Sequence, residues 1–433
     1  MINTRTGLAL LAICWIQLAK GEDAPRVPAL PQIPEGVLKI TDHGAVADEK
    51  TDNAKAIQET IDAAVKAGGG VVEVPAGEYL AGPFRLDSEI NLHLDAGATL
   101  KMLPIDRYPG GTRNPQAFIT GRGLHDVVIS GEGTIDGEGA PWWPLVRSRP
   151  GIQRPRMIAL SGCDKILIEK VRLQNSPMFH IAISGHSTNV TVRGVTIRAP
   201  ASTDPVNPSH NTDACDVSGS HVLIEDCDVS VGDDNFTCGG GTSDVHIRHC
   251  TYGNGHGVSI GSPTSGGVSD ITVEDCTFTD TDCGIRIKSD RGRGGVVQRM
   301  TYRNLKMTNV GFPILIYGSY AANEREYRDL TNLTPAIATT YPSRPMSDRT
   351  PVFKDITFTN ITATAAAGHR AGLIWGLPEA PASNIVLQNV SIKADKPMGI
   401  YSAQGVKLVG CKIVTPEGEN KLSTVDAEVT VSP

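Results

Sequence analysis

The 433-residue sequence contains few aromatic residues, 5% of the chain, and no excess of basic residues. Lys and Arg number 40 against 47 Asp and Glu, a net charge of −7, which argues against a nucleic-acid-binding protein because such proteins present a basic surface. Beyond the N-terminus, no apolar run is long enough to cross a membrane. Glycine is abundant instead, with 46 residues of 433, or about 11% against the usual ~7%. This composition favours a turn-rich β architecture or a low-complexity chain.

The N-terminal segment has the features of an export signal. Arg5 supplies the positive charge, residues 7–19 are mostly apolar, and Gly21 and Ala24 are small enough for a cleavage site. We therefore expect residues 1–24 to be a signal peptide and the mature protein, 25–433, to be secreted or periplasmic. A buried N-terminal helix is the alternative.

An internal repeat organises the rest of the chain. An eight-residue pattern with apolar first, third, sixth and eighth positions starts at Ile166, Val190, Val222, Val245 and Ile271, with weaker copies at Met300, Ile356, Ile385 and Val406. This alternation with a phase shift indicates a strand, a bend and a second strand. A period near 25 residues predicts a single right-handed parallel β-helix, since a propeller blade needs ~40 residues and a leucine-rich repeat has its own consensus.

Other segments fit this solenoid. We predict a helix over Asp52–Lys66 that has an apolar stripe and ends before Gly68–Gly70. This helix is expected to cover the N-terminal end of the β-helix, as part of a cap formed by about residues 38–105. The predicted stripe consists of Ala56, Ile57, Ile61, Ala64 and Val65. Residues 319–354 interrupt the repeat and are predicted to form a long loop on one face.

The repeat also explains most of the cysteines. Four of the eight cysteines beyond the signal segment occupy the sixth repeat position, where other copies carry Val, Leu or Ile: Cys227, Cys250, Cys276 and Cys411. We interpret them as inward-facing core residues, with disulfide pairing among them as the alternative. Cys215 and Cys238 are predicted to face inward on a second row of strands.

That second row carries the residues with reactive side chains. Its alignment places Asp213, Asp234 and His256 at equivalent positions of successive coils, with Asp233 beside them. Because neighbouring strands lie ~4.8 Å apart, we expect these four side chains to form one compact group. Further residues of the same face are Arg286, Lys288 and Tyr317, with Gly239 and Gly261 predicted to leave open space as a groove floor.

Crowded carboxylates repel one another and lower the stability of the fold, which favours a functional reason for their presence. A calcium site or a solvated acidic edge is the alternative, but nearby Arg and Lys side chains do not suit calcium. Repulsion raises the pKa of one carboxyl group and leaves another ionised, which is the arrangement that glycoside hydrolysis uses. His246, His249 and Cys250 resemble zinc ligands by type only, because adjacent residues face opposite ways. We expect no metal and no cofactor.

The sequence resembles the polygalacturonases of glycoside hydrolase family 28. Four motifs carry the resemblance, in matching order and spacing, and Tyr317 follows them: Asn211-Thr212-Asp213, Gly232-Asp233-Asp234, Gly255-His256-Gly257 and Arg286-Ile287-Lys288. One departure is Asn235, where many members have Cys. The resemblance implies a right-handed parallel β-helix and inverting hydrolysis of α-1,4 bonds between galacturonates.

The resemblance also implies a role for each motif residue. Asp233 is the expected general acid, Asp213 and Asp234 activate the water, and His256 tunes the protonation of the acid. The expected substrate-binding residues are Asn211, Arg286, Lys288 and Tyr317. The expected partner is an acidic polysaccharide, pectin or polygalacturonate, acted on by a monomer. Alternatives are a hydrolase of another pectic polymer such as rhamnogalacturonan, a non-catalytic β-helical carbohydrate-binding protein, and a calcium-dependent lyase.

Overall fold

The computed structural model describes residues 27–149, 151–322 and 324–433 of the chain. The predicted signal peptide, residues 1–24, lies outside these residues. Nearly half of the chain is in strands, and few residues are helical. The helices are Ile40–His43, a 3₁₀ turn, and the α-helices Ala54–Lys66, Trp143–Ser148, Arg325–Arg328 and Pro335–Ala338.

The strands wind into a parallel β-helix with three faces. The first face is formed by Val37–Lys39, Gly70–Val74, Ile90–Leu94, His125–Gly131, Asp164–Glu169, Thr242–Arg248 and Val268–Glu274, and by parts of Ile181–Arg193, Cys215–Glu225, Val296–Val310, Val352–Ala365, Ala382–Lys393, Met398–Val409 and Leu422–Ser432. The second face contains Gly77–Ala81, Ala98–Met102, Thr134–Asp136, Arg172–Gln174, Thr196–Arg198, Asp228–Ser230, Thr251–Tyr252, Thr277–Thr279 and Lys412–Thr415. Gly418–Glu419 pairs antiparallel with the last of these.

The third face, which we call the site face, carries the second strand row of the sequence. Its separate strands are Phe84–Arg85, Ile119–Arg122, Ile158–Ser161, Phe236–Cys238, Val258–Ile260, Cys283–Lys288, Phe312–Tyr317 and Leu373–Trp375. The predicted register is confirmed, because the inward residues pair in parallel from coil to coil: Ile183 with Val217, then Cys238, Ile260, Ile287 and Ile316.

The bend between the first two faces has a local cause. The residue before the sixth repeat position adopts a positive φ in successive coils, near +55° at Asp226, His249, Asp275, Asn304, Asn360 and Asn389. Asn and Asp tolerate this left-handed conformation better than most residues because their short polar side chains bond locally. The chain therefore turns at the same place in every coil, which keeps the following residue pointing inward.

The core consists of the stacked inward residues. Cys227, Cys250, Cys276 and Cys411 are buried as predicted, and all eight cysteines of the described residues are free thiols. The disulfide alternative is therefore not the arrangement in this structure.

The N-terminal helix is confirmed with two differences. It begins at Ala54, because the Asp52 carboxylate accepts a hydrogen bond from the Ala54 amide at 3.0 Å and so lies before the helix. Val65, predicted in the buried stripe, is 38% exposed at the end of the helix. The helix packs against the first coil and against strand Phe84–Arg85.

The interruption of the repeat is also confirmed, although it is partly helical. Between Tyr317 and Val352 it contains the two short helices Arg325–Arg328 and Pro335–Ala338. Its apolar residues pack in a second cluster, outside the main core, with Trp375 and Tyr401. Among the described residues, no helix is long and apolar enough to cross a membrane.

Candidate active site

The acidic residues are brought together by backbone bonds between successive coils. The Ala214 amide donates to the Asp234 carbonyl at 2.9 Å, and the His256 amide donates to the Asp233 carbonyl at 2.9 Å. Gly255 has a φ of +133°, and a Cβ there would lie 2.7 Å from the Asp233 carbonyl oxygen. Only glycine therefore allows the histidine turn to approach the acidic pair this closely.

Asn235 holds the same turn from the other side. Its side-chain oxygen accepts from the Gly257 amide at 2.8 Å, and its nitrogen donates to the Asn254 carbonyl at 3.0 Å. The residue is 1% exposed. An asparagine here thus fixes the backbone around His256 without a disulfide bond.

His256 bridges three carboxylates. Its Nδ1 lies 3.1 Å from Asp233 Oδ1 and 3.5 Å from Asp234 Oδ1, and its Nε2 lies 3.2 Å from Asp282 Oδ2. Burial disfavours the imidazolium, but hydrogen bonds to these carboxylates outweigh it and raise the pKa of His256 well above 6.5. The three carboxylates therefore favour the protonated form of the ring.

Asp234 is held ionised by two buried cations. Lys288 Nζ lies 2.9 Å from Asp234 Oδ2, Arg286 donates to Oδ1, and Ser259 Oγ donates to Oδ1 at 2.7 Å. Burial by itself raises the pKa of this carboxyl, but Arg286 and Lys288 reverse the effect and keep its pKa far below the ordinary value. The two predicted substrate-binding cations thus contact Asp234 in the free protein.

Asp213 has the opposite environment. It is 6% exposed, and its Oδ1 has no hydrogen-bond partner in the described part of the chain. Burial, followed by repulsion from Asp233 and Asp234, raises the pKa of Asp213 well above 3.8. Burial also raises the pKa of the nearby Asp216 to about 6.

The charge state of Asp233 differs from the expectation for a protonated general acid. Burial raises its pKa, but the hydrogen bond and charge of His256 outweigh burial, and the pKa falls below 3.8. In the free protein, protonation is therefore favoured on Asp213 rather than on Asp233, and it is also favoured on the His256 ring beside Asp233. The predicted separation of the carboxyl pKa values is found, but burial of Asp213 and the cations beside Asp233 and Asp234 contribute to it more than crowding does.

The group lies in a groove with cavities on either side. A cavity of about 480 Å³ is lined by Asn211, Asp213, Asp233, Asp234, Lys288 and Tyr320, together with Gly239 and Gly261, which were predicted to leave space there. A second cavity of about 400 Å³ is lined by Asp282, Arg286 and Tyr317. Of the predicted site residues, all but His256 line one of these cavities, and His256 contacts Asp233 of the first cavity and Asp282 of the second.

The structure adds a second tyrosine to the site. Tyr317 is 8% exposed and packs in the apolar cluster under residues 319–350. Tyr320 is 39% exposed, and its ring centroid lies 5.3 Å from Lys288 Nζ, over the acid-lined cavity. Of the two tyrosines, only Tyr320 thus offers an open ring face beside the acids; it lies three residues after Tyr317, in a segment without the repeat pattern.

Asp282 and Arg154 were also missed. Asp282 directly precedes Cys283, which occupies the position of the next coil equivalent to His256, so the repeat itself places Asp282 near His256. Arg154 lies 57 residues from Asn211, in a loop, and the repeat gives no signal for it. The zinc-type residues do not converge, since His246 pairs with Glu274 at 2.6 Å and His249 approaches Asp226 at 3.6 Å.

One trio offers ligand atoms to a cation. Atoms of Asp233, Asp234 and His256 lie within 4.8 Å of one another. Arg286 and Lys288, however, already neutralise Asp234, and a further cation would be repelled by both. The arrangement suits proton transfer and the binding of an acidic substrate better than metal binding.

A parallel β-helix whose groove carries grouped carboxylates and flanking cations has the architecture of a carbohydrate-active hydrolase. Residues 68–411 match the family model described as glycosyl hydrolases family 28. Residues 37–98 also match a model for rhamnogalacturonase A/epimerase, pectate lyase-like. A polygalacturonase of Juniperus ashei is 30% identical over 382 residues, which cover 82% of this chain and 68% of the relative.

Solved structures of polygalacturonases have the same fold as this chain. The polygalacturonase of Erwinia carotovora is 26% identical, with a TM-score of 0.68 over 94% of this chain and 99% of that one. The exopolygalacturonase of Thermotoga maritima shares the fold, at 22% identity and a TM-score of 0.72 over 93% of this chain and 94% of that one. The chain belongs to glycosyl hydrolases family 28, the polygalacturonase family, and is a glycoside hydrolase.

Proposed function

We propose that this enzyme hydrolyses the α-1,4 bonds of polygalacturonate with inversion at the anomeric carbon. The observation that carries the proposal is the group of Asp213, Asp233, Asp234 and His256 beside the cations Arg286 and Lys288, between two cavities. Membership of the polygalacturonase family supports the substrate class.

In the proposed mechanism, Asp233 delivers a proton to the leaving oxygen, Asp213 and Asp234 hold the attacking water, and the ionised Asp234 accepts the proton of that water. The raised pKa of His256 favours a proton on its ring in the free protein, and its Nδ1 lies 3.1 Å from Asp233 Oδ1. Substrate binding excludes water and brings a uronate carboxylate, which favours transfer of this proton to Asp233. His256 thus supplies the proton that makes Asp233 an acid.

Arg286 and Lys288 attract the substrate carboxylate. Each lines one of the two cavities, so they lie on both sides of the acidic group. Asn211 and Tyr320 border the first cavity and Tyr317 the second, which suits them to orient a sugar ring. Asp233 and Asp234 oxygens lie within 4.8 Å, closer than the ~6.5–9.5 Å usual for inverting enzymes, so the proposed inversion rests on family membership.

The test is release of reducing ends from polygalacturonate by wild type and Asp233→Asn. Loss of a general acid lowers kcat by about 10²–10⁴-fold. Asp226→Asn, whose side chain is 64% exposed on a bend far from the groove, is the matched control and will retain full activity. Equal activity of Asp233→Asn and wild type would remove Asp233 from this role, and rhamnogalacturonan as the preferred substrate would overturn the proposed specificity.

We also propose that residues 1–24 are an export signal and that 25–433 form a single catalytic domain, active as a secreted or periplasmic monomer. The charged, apolar and small-residue segments of the N-terminus support export. N-terminal sequencing of the enzyme recovered outside the cytoplasm tests it, with Pro25 expected as the first residue. Recovery of the full-length chain from the cytoplasm would contradict it.

A further inference from the structure

Arg154 is a buried cation that no carboxylate contacts directly, although the charges of Asp213 and Asp233 act on it from further away. It lies in the loop before strand Ile158–Ser161 and is 7% exposed. Among residues 27–149, 151–322 and 324–433, no carboxylate lies within 4.0 Å of its guanidinium. Burial of an unpaired charge is costly, so each of its N–H groups needs an acceptor.

Two of its three acceptors, on His210 and Asn211, belong to the loop that leads to Asp213, and the third is on Pro177. One terminal nitrogen donates to the Pro177 carbonyl at 2.9 Å and to the His210 carbonyl at 2.6 Å. The other donates to the side-chain oxygen of Asn211 at 2.8 Å. A planar guanidinium presents its donors in a fixed fork, so it defines the direction of the Asn211 amide as well as its position.

Asn211 passes this orientation to Asp233. Its backbone N–H donates to Asp233 Oδ2 at 3.1 Å, and its side-chain nitrogen lies 3.5 Å from the same oxygen. Guanidinium groups only donate and ionised carboxylates only accept, so the amide oxygen must face Arg154 and the amide nitrogen must face Asp233. Asn211 also has a φ of +52°, a conformation that needs support from its surroundings.

The other oxygen of Asp233 is held independently. Oδ1 accepts from the Asp234 amide at 2.9 Å and lies 3.1 Å from His256 Nδ1. Asp233 is thus held at both oxygens, and only the Oδ2 side depends on Asn211 and Arg154.

We propose that Arg154 is a positioning residue for the reaction: acting through the Asn211 amide, it fixes the orientation of the Asp233 carboxyl group. This inference rests on the proposed function of Asp233. Displacement of a catalytic group by ~1 Å costs about 10²-fold in rate. Arg154→Ala is therefore expected to lower kcat about 100-fold, with little change in KM, because Arg154 does not line the groove cavity.

The experiment is a double-mutant cycle on polygalacturonate with Arg154→Ala, Asn211→Ala and the double variant. If Arg154 acts through Asn211, the double variant will be no slower than Asn211→Ala alone. Added guanidinium ion will restore at least part of the activity of Arg154→Ala, but none of that of the double variant. Arg299→Ala, which removes an exposed surface arginine, is the control for unspecific effects of guanidinium.

Arg154→Lys is a second variant that tests the proposal even if Arg154→Ala does not fold. It keeps the charge but not the fork, so it will fold with an unchanged circular dichroism spectrum and still show lowered kcat. Additive losses in the double variant, or a lysine variant with wild-type kcat, would overturn the proposal. Failure of wild type to release reducing ends would instead refute the proposed function. In that case the positioning role is tested by the Asn211 side-chain amide signals in ¹H–¹⁵N spectra. Identical signals in wild type and Arg154→Lys would refute it.

Discussion

Lys288→Met tests how the structure keeps Asp234 ionised. Lys288 and Asp234 are paired at 2.9 Å, with side chains only 6% and 4% exposed. Removal of one partner from a buried ion pair costs about 3–5 kcal/mol, because the remaining charge is left without compensation. Since Arg286 still contacts the other oxygen of Asp234, we expect the lower end of this range, about 3 kcal/mol.

The assay is denaturant unfolding of four proteins: wild type, Lys288→Met, Asp234→Asn and the double variant. The neutral amide introduced by Asp234→Asn does not need a cation, so the double variant will be less destabilised than the sum of the two single variants by about 2 kcal/mol or more. Lys306→Met, at an exposed lysine of strand Val296–Val310, is the control and will be close to wild type. A neutral effect of Lys288→Met, or strictly additive losses, would refute the reasoning.

Three further predictions follow from the site and the core. Protonated His256 contributes stability that is fully present below about pH 6.5 and is lost as the pH rises through its raised folded pKa. In calorimetry between pH 6 and 9, the Tm of His256→Gln will therefore fall less steeply with pH than the Tm of wild type. Parallel curves for the two proteins would contradict the assignment. Tyr320→Ala removes the exposed ring over the cavity and will raise KM for polygalacturonate about tenfold, whereas an unchanged KM would exclude stacking on this ring. A thiol reagent will label none of the eight buried cysteines before unfolding and all eight after it; one or more blocked cysteines in the unfolded, unreduced protein would indicate disulfides.

The fold was predictable because the repeat encodes it locally. Each coil carries the same alternation, and the pairing of Val217 with Cys238 and of Cys238 with Ile260 follows once the copies are aligned. The positions of Asp213, Asp234 and His256 follow from the same register. Burial of Cys227, Cys250 and Cys276 follows from their place in the repeat.

What escaped prediction depends on side-chain reach and loops. The contact of Lys288 with Asp234 spans two coils, and register alone does not say where a long side chain ends. Arg154 and Tyr320 lie in loops between strands, where no periodic pattern relates them to the acids. The raised pKa of His256 depends on Asp233, Asp234 and Asp282, and Asp282 faces the ring from a neighbouring coil.

The most direct test of the proposed reaction is ¹H NMR of the products as they form from an α-1,4-linked oligogalacturonate. Inverting hydrolysis predicts that the β-anomer of the new reducing end appears first and then equilibrates, and that Asp233→Asn produces neither anomer on this timescale. First appearance of the α-anomer, or of an unsaturated product that absorbs in the near ultraviolet, would contradict the account.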